Sequence, residues 1–313
     1  MILDAGSRSR RLLRTAQLAA VLLCGSMSFD PDGRPALAAV QVVPAATAAA
    51  MDAPAPLMLQ SLNVFGLPWP LGDDVERRCD AIAERIARER PAVVALQEVW
   101  TDAARTPFAL DGYHRAFGDG PLGFFTEHGL LTLSRFPIVR AAALRFSCAA
   151  DADRCVHKGL LHTRLDLGEG RQLDVFNVHL QSGADNGAVR VAQVRELARF
   201  VAGNSSGPFV LLGDFNCEAG DPEFELMRRL LDRPTIRCSA GLPTYDCRHN
   251  PLAAPEPPTE IDHILIAGGL TLRGAHRFGA DLLNPLSDHF GISAEVCVPN
   301  RVQTTHYLPL RGR

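Results

Sequence analysis

Lysine is almost missing from this 313-residue chain: of 32 Lys and Arg residues, Lys158 is the single lysine. A compact ammonium is therefore available at one position, and every other cationic side chain is a planar guanidinium. Aromatic residues are also scarce, 6% with two tryptophans, which argues against a strong interfacial membrane anchor. Positive charge is in deficit. The formal net charge is -3, so there is no global basic field of the kind that draws a protein onto nucleic acid. No CxxC pair and no Cys/His grouping has zinc spacing. No apolar run reaches the roughly 18 residues of a membrane-spanning helix.

What is present reads as an exported globular chain. Hydrophobic residues make up 47%, ample for one buried core. Arg8, Arg10, Arg11 and Arg14 precede an apolar stretch over 16–29, and Ala36-Leu37-Ala38 supplies a small-x-small cleavage site. Ser9-Arg10-Arg11-Leu12-Leu13 loosely resembles a twin-arginine signal. We therefore expect a signal peptide over 1–38 and a secreted or periplasmic protein. An Ala/Pro-rich linker is expected over 39–56, a catalytic domain over 57–300 and a tail over 301–313. Export supplies an oxidising compartment, and the spacings Cys148/Cys155 and Cys238/Cys247 suit local disulfides.

Periodicity gives the fold class. Residues 57–64 and 92–99 read as buried strands, and between them 73–90 repeats Val75, Cys79, Ile82 and Ile86 at helical spacing. Further strands are predicted near 129–134, 138–146, 158–166, 172–180, 209–213, 261–267, 270–278 and 290–298. Helices are predicted near 187–203 and 222–232. Helices alternate with strands early and late, and strands run together in the middle. That pattern predicts an α/β protein of two packed sheets with helices outside.

Polar residues recur where apolar strands end. Asn63, Glu98, His179, Asp214 with Asn216, Asp262 with His263, and Asp288 with His289 each interrupt or terminate an apolar run. A buried charge is costly unless paired or metal-bound, and six repeats of the pattern point to one shared site. These residue types fit phosphodiester hydrolysis, which needs a cation on the phosphoryl oxygens, a base for water and donors for developing charge. Glu98 and Asn63 suit hard Mg²⁺. Asp288-His289 offers a base once a carboxylate orients the ring. His179 is placed to donate to the phosphoryl or the leaving oxygen.

The segments LNV (62–64), LQEVW (96–100), GLLTLSRFPI (129–138), NVHLQ (177–181), GDFN (213–216), ID (261–262) and SDH (287–289) resemble, in order, the motif set of the endonuclease/exonuclease/phosphatase superfamily. The resemblance implies a four-layer α/β/β/α sandwich of two packed mixed sheets, the DNase I-like fold, with a metal site at one edge. It implies Glu98 as principal Mg²⁺ ligand, with Mn²⁺ or Co²⁺ as substitutes, and Asn63 as metal or water partner. Asp214 would orient the attacking water or the leaving group, and Asn216 would hold a phosphoryl oxygen. His289 would be the general base, Asp288 a second-site metal or His-supporting group, and Asp262 the partner that orients His179. His263 stands where an aromatic is usual, a change expected to affect packing alone.

Within that superfamily, the stretches Asn63-Val64-Phe65-Gly66-Leu67-Pro68, Glu98-Val99-Trp100, Gly129–Ile138 and Lys158-Gly159 resemble neutral sphingomyelinases. The expected substrate is then sphingomyelin at a membrane surface, with Lys158, Asn216 and His179 binding it and no stable nucleic-acid partner. Lys158 is expected near the metal site or the lipid phosphate. Pro68-Trp69-Pro70 and Phe124-Phe125 are the best candidates for exposed apolar contacts. The alternatives are a secreted deoxyribonuclease, an inositol-polyphosphate or other phosphatase, and a non-enzymatic membrane-docking protein.

Overall fold

Alternation along the buried strands fixes the layers. Val93 and Ala95 point to one core and Val94 and Leu96 to another; Val210 and Leu212 divide in the same way from Phe209 and Leu211. A strand apolar on both faces must be covered on both faces. The computed structural model describes residues 35–46, 56–68, 71–118 and 128–299. In chain order the strands are β1 (Ala36–Ala38), β2 (Val40–Val43), β3 (Leu57–Asn63), β4 (Val93–Gln97), β5 (His114–Gly118), β6 (Leu131–Ser134), β7 (Ile138–Arg145), β8 (Gly159–Asp166), β9 (Gln172–His179), β10 (Phe209–Asp214), β11 (Thr235–Cys238), β12 (Asp262–Ala267), β13 (Thr271–Phe278) and β14 (Gly291–Cys297). The helices are α1 (Val75–Glu89), α2 (Asp102–Arg105), α3 (Gly187–Asn204) and α4 (Pro222–Leu230).

Two seven-stranded mixed sheets result, ordered β1-β7-β8-β9-β10-β12-β11 and β13-β14-β3-β4-β6-β5-β2. Leu59, Val93, Ala95, Val175, Val210, Leu212, Ile264 and Ile292 fill the space between them. Cys79, Ile82 and Ile86 of α1 cover the outer face of the second sheet. Val194, Leu197 and Val201 of α3, with Phe224 and Met227 of α4, cover the first. This is the four-layer sandwich the motif order implies.

One hydrogen-bonded link bridges the two sheets. Gln97 Nε2 donates to Asn177 Oδ1 at 2.8 Å, and Asn177 Nδ2 donates to the Leu96 and Leu131 carbonyls at 3.0 and 3.1 Å. The link ties β9 of one sheet to β4 and β6 of the other, close to the strand ends that lead to Glu98 and His179. A comparable anchor holds α1. The buried Arg78 donates to four carbonyls: Val64 and Phe65 at 2.7 Å, Asp73 at 2.9 Å and Leu286 at 3.1 Å. Arg78→Met removes all four hydrogen bonds, the one to the Val64 carbonyl fully buried and the others part-buried. At ~1 kcal/mol or more for each orphaned carbonyl, a thermal or chemical melt should show a loss of at least about 3 kcal/mol.

Four features differ from expectation. Ala36–Ala38, the expected cleavage site, pairs with β7, and Val40–Val43 in the expected linker pairs with β5. Edge pairing uses backbone N–H and C=O groups, so Ala/Pro-rich composition does not forbid it. Short β5 and β11 carry too little alternation to be predicted. Neither expected disulfide forms: Cys148, Cys238 and Cys247 are free thiols. Cys155 is disulfide-bonded and therefore not to Cys148. Cys238 points from β11 into the inter-sheet core, where burial pushes its thiol up to about 12, whereas half-exposed Cys247 faces the Glu256 carbonyl at 3.5 Å. Spacing along the chain says nothing about the direction of the Cβ vectors. Residues 1–34, Trp69, Pro70, Phe124, Phe125 and 301–313 lie outside the described residues.

Candidate active site

Register carries the polar strand ends to one edge of the sandwich. Parallel pairing sets Asn63 beside Gln97, the residue before Glu98, and His179 beside Asp214. Antiparallel pairing of β12 with β10 sets Asp262 opposite Asp214. β14 runs antiparallel to β3 with Ile292 opposite Ser61, so the residues before Gly291 pass Asn63. Ser287 Oγ closes that crossing by donating to the Asn63 carbonyl at 2.6 Å. Gly213, with φ +147°, permits the close approach: a Cβ there would lie 2.0 Å from the Val178 carbonyl oxygen.

The side chains form one buried network. Asn63 Nδ2 donates to Glu98 Oε1 at 3.1 Å and to Asp214 Oδ2 at 3.0 Å. His179 Nε2 stands 3.3 Å from the same Asp214 oxygen and His289 Nε2 stands 3.8 Å from it. His289 Nδ1–H donates to Asp262 Oδ2 at 2.8 Å. The loop over 239–260 buttresses this pair. Thr244 Oγ1 accepts the Asp262 N–H at 3.0 Å, Asn250 Nδ2 donates to the Ser287 carbonyl at 2.8 Å, and the Tyr245 ring meets His289 edge-on at 5.1 Å. Glu98 and Asn216 hold left-handed backbones, φ +59° and +50°, a conformation that turns each side chain out of its strand line.

Charge in the network is unbalanced. Burial alone would raise Asp214, but His289, His179 and Lys158 hold it well below the usual carboxylate range. Burial lifts Asp262, with the Asp214 charge adding to the shift and His289 opposing it. Burial also pushes Asp288 up to about 7, against His289 and reinforced by the charge of Glu98. His289 itself lies well above the ordinary imidazole value: burial would lower it, and Asp262, Asp214 and Asp288 outweigh that.

Such a set fits a divalent cation. Glu98 Oε2 is buried without a hydrogen-bond partner and its charge repels Asp288. That pair of carboxylates is the hard-oxygen end of the site. Asp214, Asp262 and His289 also place ligand atoms within 4.8 Å of one another. Both ring nitrogens of His289 already face carboxylates there, whereas Glu98 Oε2 has no hydrogen-bond partner, so Glu98 with Asp288 could hold a cation as well.

A profile of the endonuclease/exonuclease/phosphatase family matches residues 61–289, a span that contains every residue of this network. The chain belongs to that family. A putative neutral sphingomyelinase of Drosophila melanogaster is 28% identical over 241 residues, 68% of this chain and 52% of that protein. A sphingomyelinase of Mycobacterium tuberculosis (strain ATCC 25618 / H37Rv) is 31% identical over 111 residues, 34% of this chain and 22% of that one. This chain thus spans about half, or less, of the length of these relatives. Among solved structures, D. rerio TDP2 complexed with single strand DNA product matches with TM-score 0.65 and 19% identity, over 78% of this chain and 99% of that one. A Staphylococcus aureus beta toxin variant with bound magnesium ions matches with TM-score 0.60 and 20% identity, over 76% and 99%. At those identities the structural likeness establishes the fold.

Within this family member, the expected site residues Asn63, Glu98, His179, Asp214, Asp262, Asp288 and His289 are drawn together, with three changes of role. Asp262 serves His289 rather than His179, because β12 and the β13–β14 connection meet at the strand edge; the carboxylate facing His179 is Asp214. Asn216 directs its amide N–H at the Leu180 carbonyl, 3.0 Å away. Asn63 Oδ1 accepts the Phe65 N–H at 3.0 Å, so an oxygen ligand from Asn63 requires its amide to turn.

Lys158 is a further case. Its ammonium is buried, donating to the Leu180 carbonyl at 3.0 Å and pairing with Asp153 Oδ2 at 2.9 Å. It holds the end of β9 and lies close enough to Asp214 to help keep that carboxylate low, in keeping with the expected place near the metal site. Asp153, which also accepts the Ser182 N–H, gave no sequence signal because its loop reads as polar and solvated. Lys158→Met leaves that carboxylate buried and unpaired, and a denaturant melt should register a loss of about 3–5 kcal/mol.

His263 behaves as a packing residue: its Nε2–H donates to the Cys217 carbonyl at 2.9 Å, between the rings of Phe215 and Phe224. Burial lowers it to about 4, and lowers His128 to about 4 as well, with His157 adding to the latter shift. Unfolded imidazoles titrate near 6.5, so between that pH and 4 the unfolded state binds more protons. The contribution of these two groups is complete above about pH 6.5 and falls as pH drops toward 4. The melting temperature should decline over that window, and His263→Asn should flatten the decline.

Proposed function

We propose that the protein is an exported, Mg²⁺-dependent phosphodiesterase that hydrolyses sphingomyelin to ceramide and phosphocholine. The observation that carries this reading is that a Glu98 carboxylate with one oxygen unpartnered stands at the same strand edge as a carboxylate-oriented His289. It is supported by curated relatives described as sphingomyelinases. Glu98 and Asp288 would hold the cation, which would supply charge neutralisation on the phosphoryl oxygens.

The protein's own groups do the remainder. Asp262 holds the Nδ1–H of His289, which leaves Nε2 as the proton acceptor for water. The surrounding carboxylates favour the imidazolium, Asp288 among them, so a cation held at Asp288 would remove part of that bias. Water oxygen bonds to phosphorus, the bond to the ceramide oxygen breaks, and the proton taken by Nε2 is returned to the departing alkoxide. His179, aligned by Asp214, donates to a phosphoryl or leaving oxygen.

Likeness to TDP2 favours a second reading, a secreted deoxyribonuclease or another phosphatase acting with the same residues. Against a nuclease stands the net charge of -3. Purified protein assayed with Mg²⁺ on sphingomyelin, plasmid DNA and inositol phosphates separates the two: the proposal requires phosphocholine release without plasmid nicking. Export is tested by sequencing the N-terminus of protein recovered outside the cytoplasm; processing after Ala38, which takes β1 off the edge of the first sheet, is the expected result.

A further inference from the structure

The Asp262–His289 pair spans the two sheets. Asp262 opens β12 of the first sheet, and His289 precedes β14 of the second. No strand pairing between β12 and β14 sets the distance from carboxylate to imidazole, so it depends on what joins the sheets at this edge. β11 flanks β12 only as far as Cys238, opposite Ile264. The backbone at Ile261 and Asp262 therefore has no strand on that side.

The segment 243–245 takes that place. Thr244 is 1% exposed. Its Oγ1 accepts the N–H of Ile261 and the N–H of Asp262, each at 3.0 Å. Its carbonyl accepts the N–H of Phe290, the residue after His289, at 2.7 Å. One side chain thus grips the backbone at Asp262 while the main chain of the same residue grips the backbone at His289. The hydroxyl also lies close enough to the Asp262 carboxylate to favour its ionised form, although burial outweighs it. The segment is itself anchored from two directions. The N–H groups of Thr244 and Tyr245 donate to the Thr259 carbonyl at 2.9 and 3.0 Å. Arg277 of β13 lies over the Phe290 ring at 4.1 Å and donates to the Pro243 carbonyl at 2.6 Å.

We propose that Thr244 is a positioning residue for the hydrolytic pair, its hydroxyl and carbonyl together fixing the Asp262 carboxylate against the His289 ring. The inference rests on the reading of His289 as the base. A base must lie within hydrogen-bond reach of the water it deprotonates, and a misplacement of about 1 Å can cost ~10²-fold in rate. Thr244 is shut away from solvent, so its effect passes through His289 and not through substrate binding.

The test is a double-mutant cycle in the full chain, read on micellar sphingomyelin or on whichever phosphodiester the parent turns over with Mg²⁺. Thr244→Val should lower kcat roughly 10–100-fold with KM nearly unchanged. Thr244→Ser, which keeps the hydroxyl, should restore kcat. In a His289→Gln background Thr244→Val should cost less than about twofold, because both changes act through one base. Mg²⁺ affinity by titration calorimetry should stay parental. The proton resonance of the His289 Nδ1–H, held downfield by Asp262, should move or broaden in Thr244→Val and return in Thr244→Ser. Thr244→Val leaves the N–H groups of Ile261 and Asp262 without their acceptor. If its melt is not cooperative, Thr244→Cys, whose thiol is a weak acceptor, replaces it with a smaller loss in the same direction. Parental kcat, an equal fold-loss in both backgrounds, or lost Mg²⁺ affinity overturns the inference. If the parent turns over no phosphodiester, the hydrolase reading fails and the resonance decides the positioning by itself: unmoved in Thr244→Val, it overturns the inference.

Discussion

His289→Gln lowers kcat by roughly 10²–10⁴-fold while leaving KM nearly unchanged. The argument is geometric. Glutamine can still donate to Asp262, so the hydrogen bond at 2.8 Å has a replacement, but no atom remains that accepts a proton near neutral pH. A structural role for His289 would give a different result, since the loss would follow thermal stability. The same variant removes the cation that holds Asp214 low and opposes the rise of Asp262. Proton uptake by the carboxylate cluster should therefore move to higher pH, which a calorimetric pH titration of the parent and the variant can read.

Glu98→Gln is the second large effect, with turnover falling by about 10³-fold or more, since charge stabilisation at a phosphoryl centre is worth several kcal/mol. Its signature lies outside activity. Glu98 Oε2 has no protein partner, so the amide loses a ligand without breaking a hydrogen bond of the fold, and the melting temperature of the metal-free protein should not fall. Titration calorimetry should show Mg²⁺ affinity lost or greatly weakened. The charge of Glu98 also helps to lift Asp288 to about 7, so in the variant the Asp288 carboxyl should titrate lower. An unaltered Mg²⁺ affinity with full loss of turnover would instead move the cation to another part of the cluster.

Much of this was legible in the residues themselves. The runs 93–96 and 209–212 are apolar without interruption because both faces of β4 and β10 are covered. The polar residue that ends each run therefore stands out. The spacing of Cys79, Ile82 and Ile86 gave α1 for the same reason, one stripe against a sheet. Pairings were less legible. Which carboxylate serves which imidazole depends on sheet order: Asp262 reaches His289 across elements that are neighbours only in space. Lys158 stood out by its rarity, but its partner Asp153 and its inward direction depend on the packing of the loop before β8. Asn177 lies within a recognised motif, yet its role between the sheets appears only once β4, β6 and β9 are stacked. The loop over 239–260 showed Pro and Gly and little else, although Thr244 and Asn250 within it hold Asp262 and Ser287 in place.

The most direct test is anomalous diffraction from crystals soaked in Mn²⁺. A single strong peak in contact with the Glu98 carboxylate, on the side of Asp288 and within reach of a turned Asn63 amide oxygen, is the result expected here. A peak bound by Asp214, Asp262 and the His289 ring, with Glu98 left without metal, would contradict it.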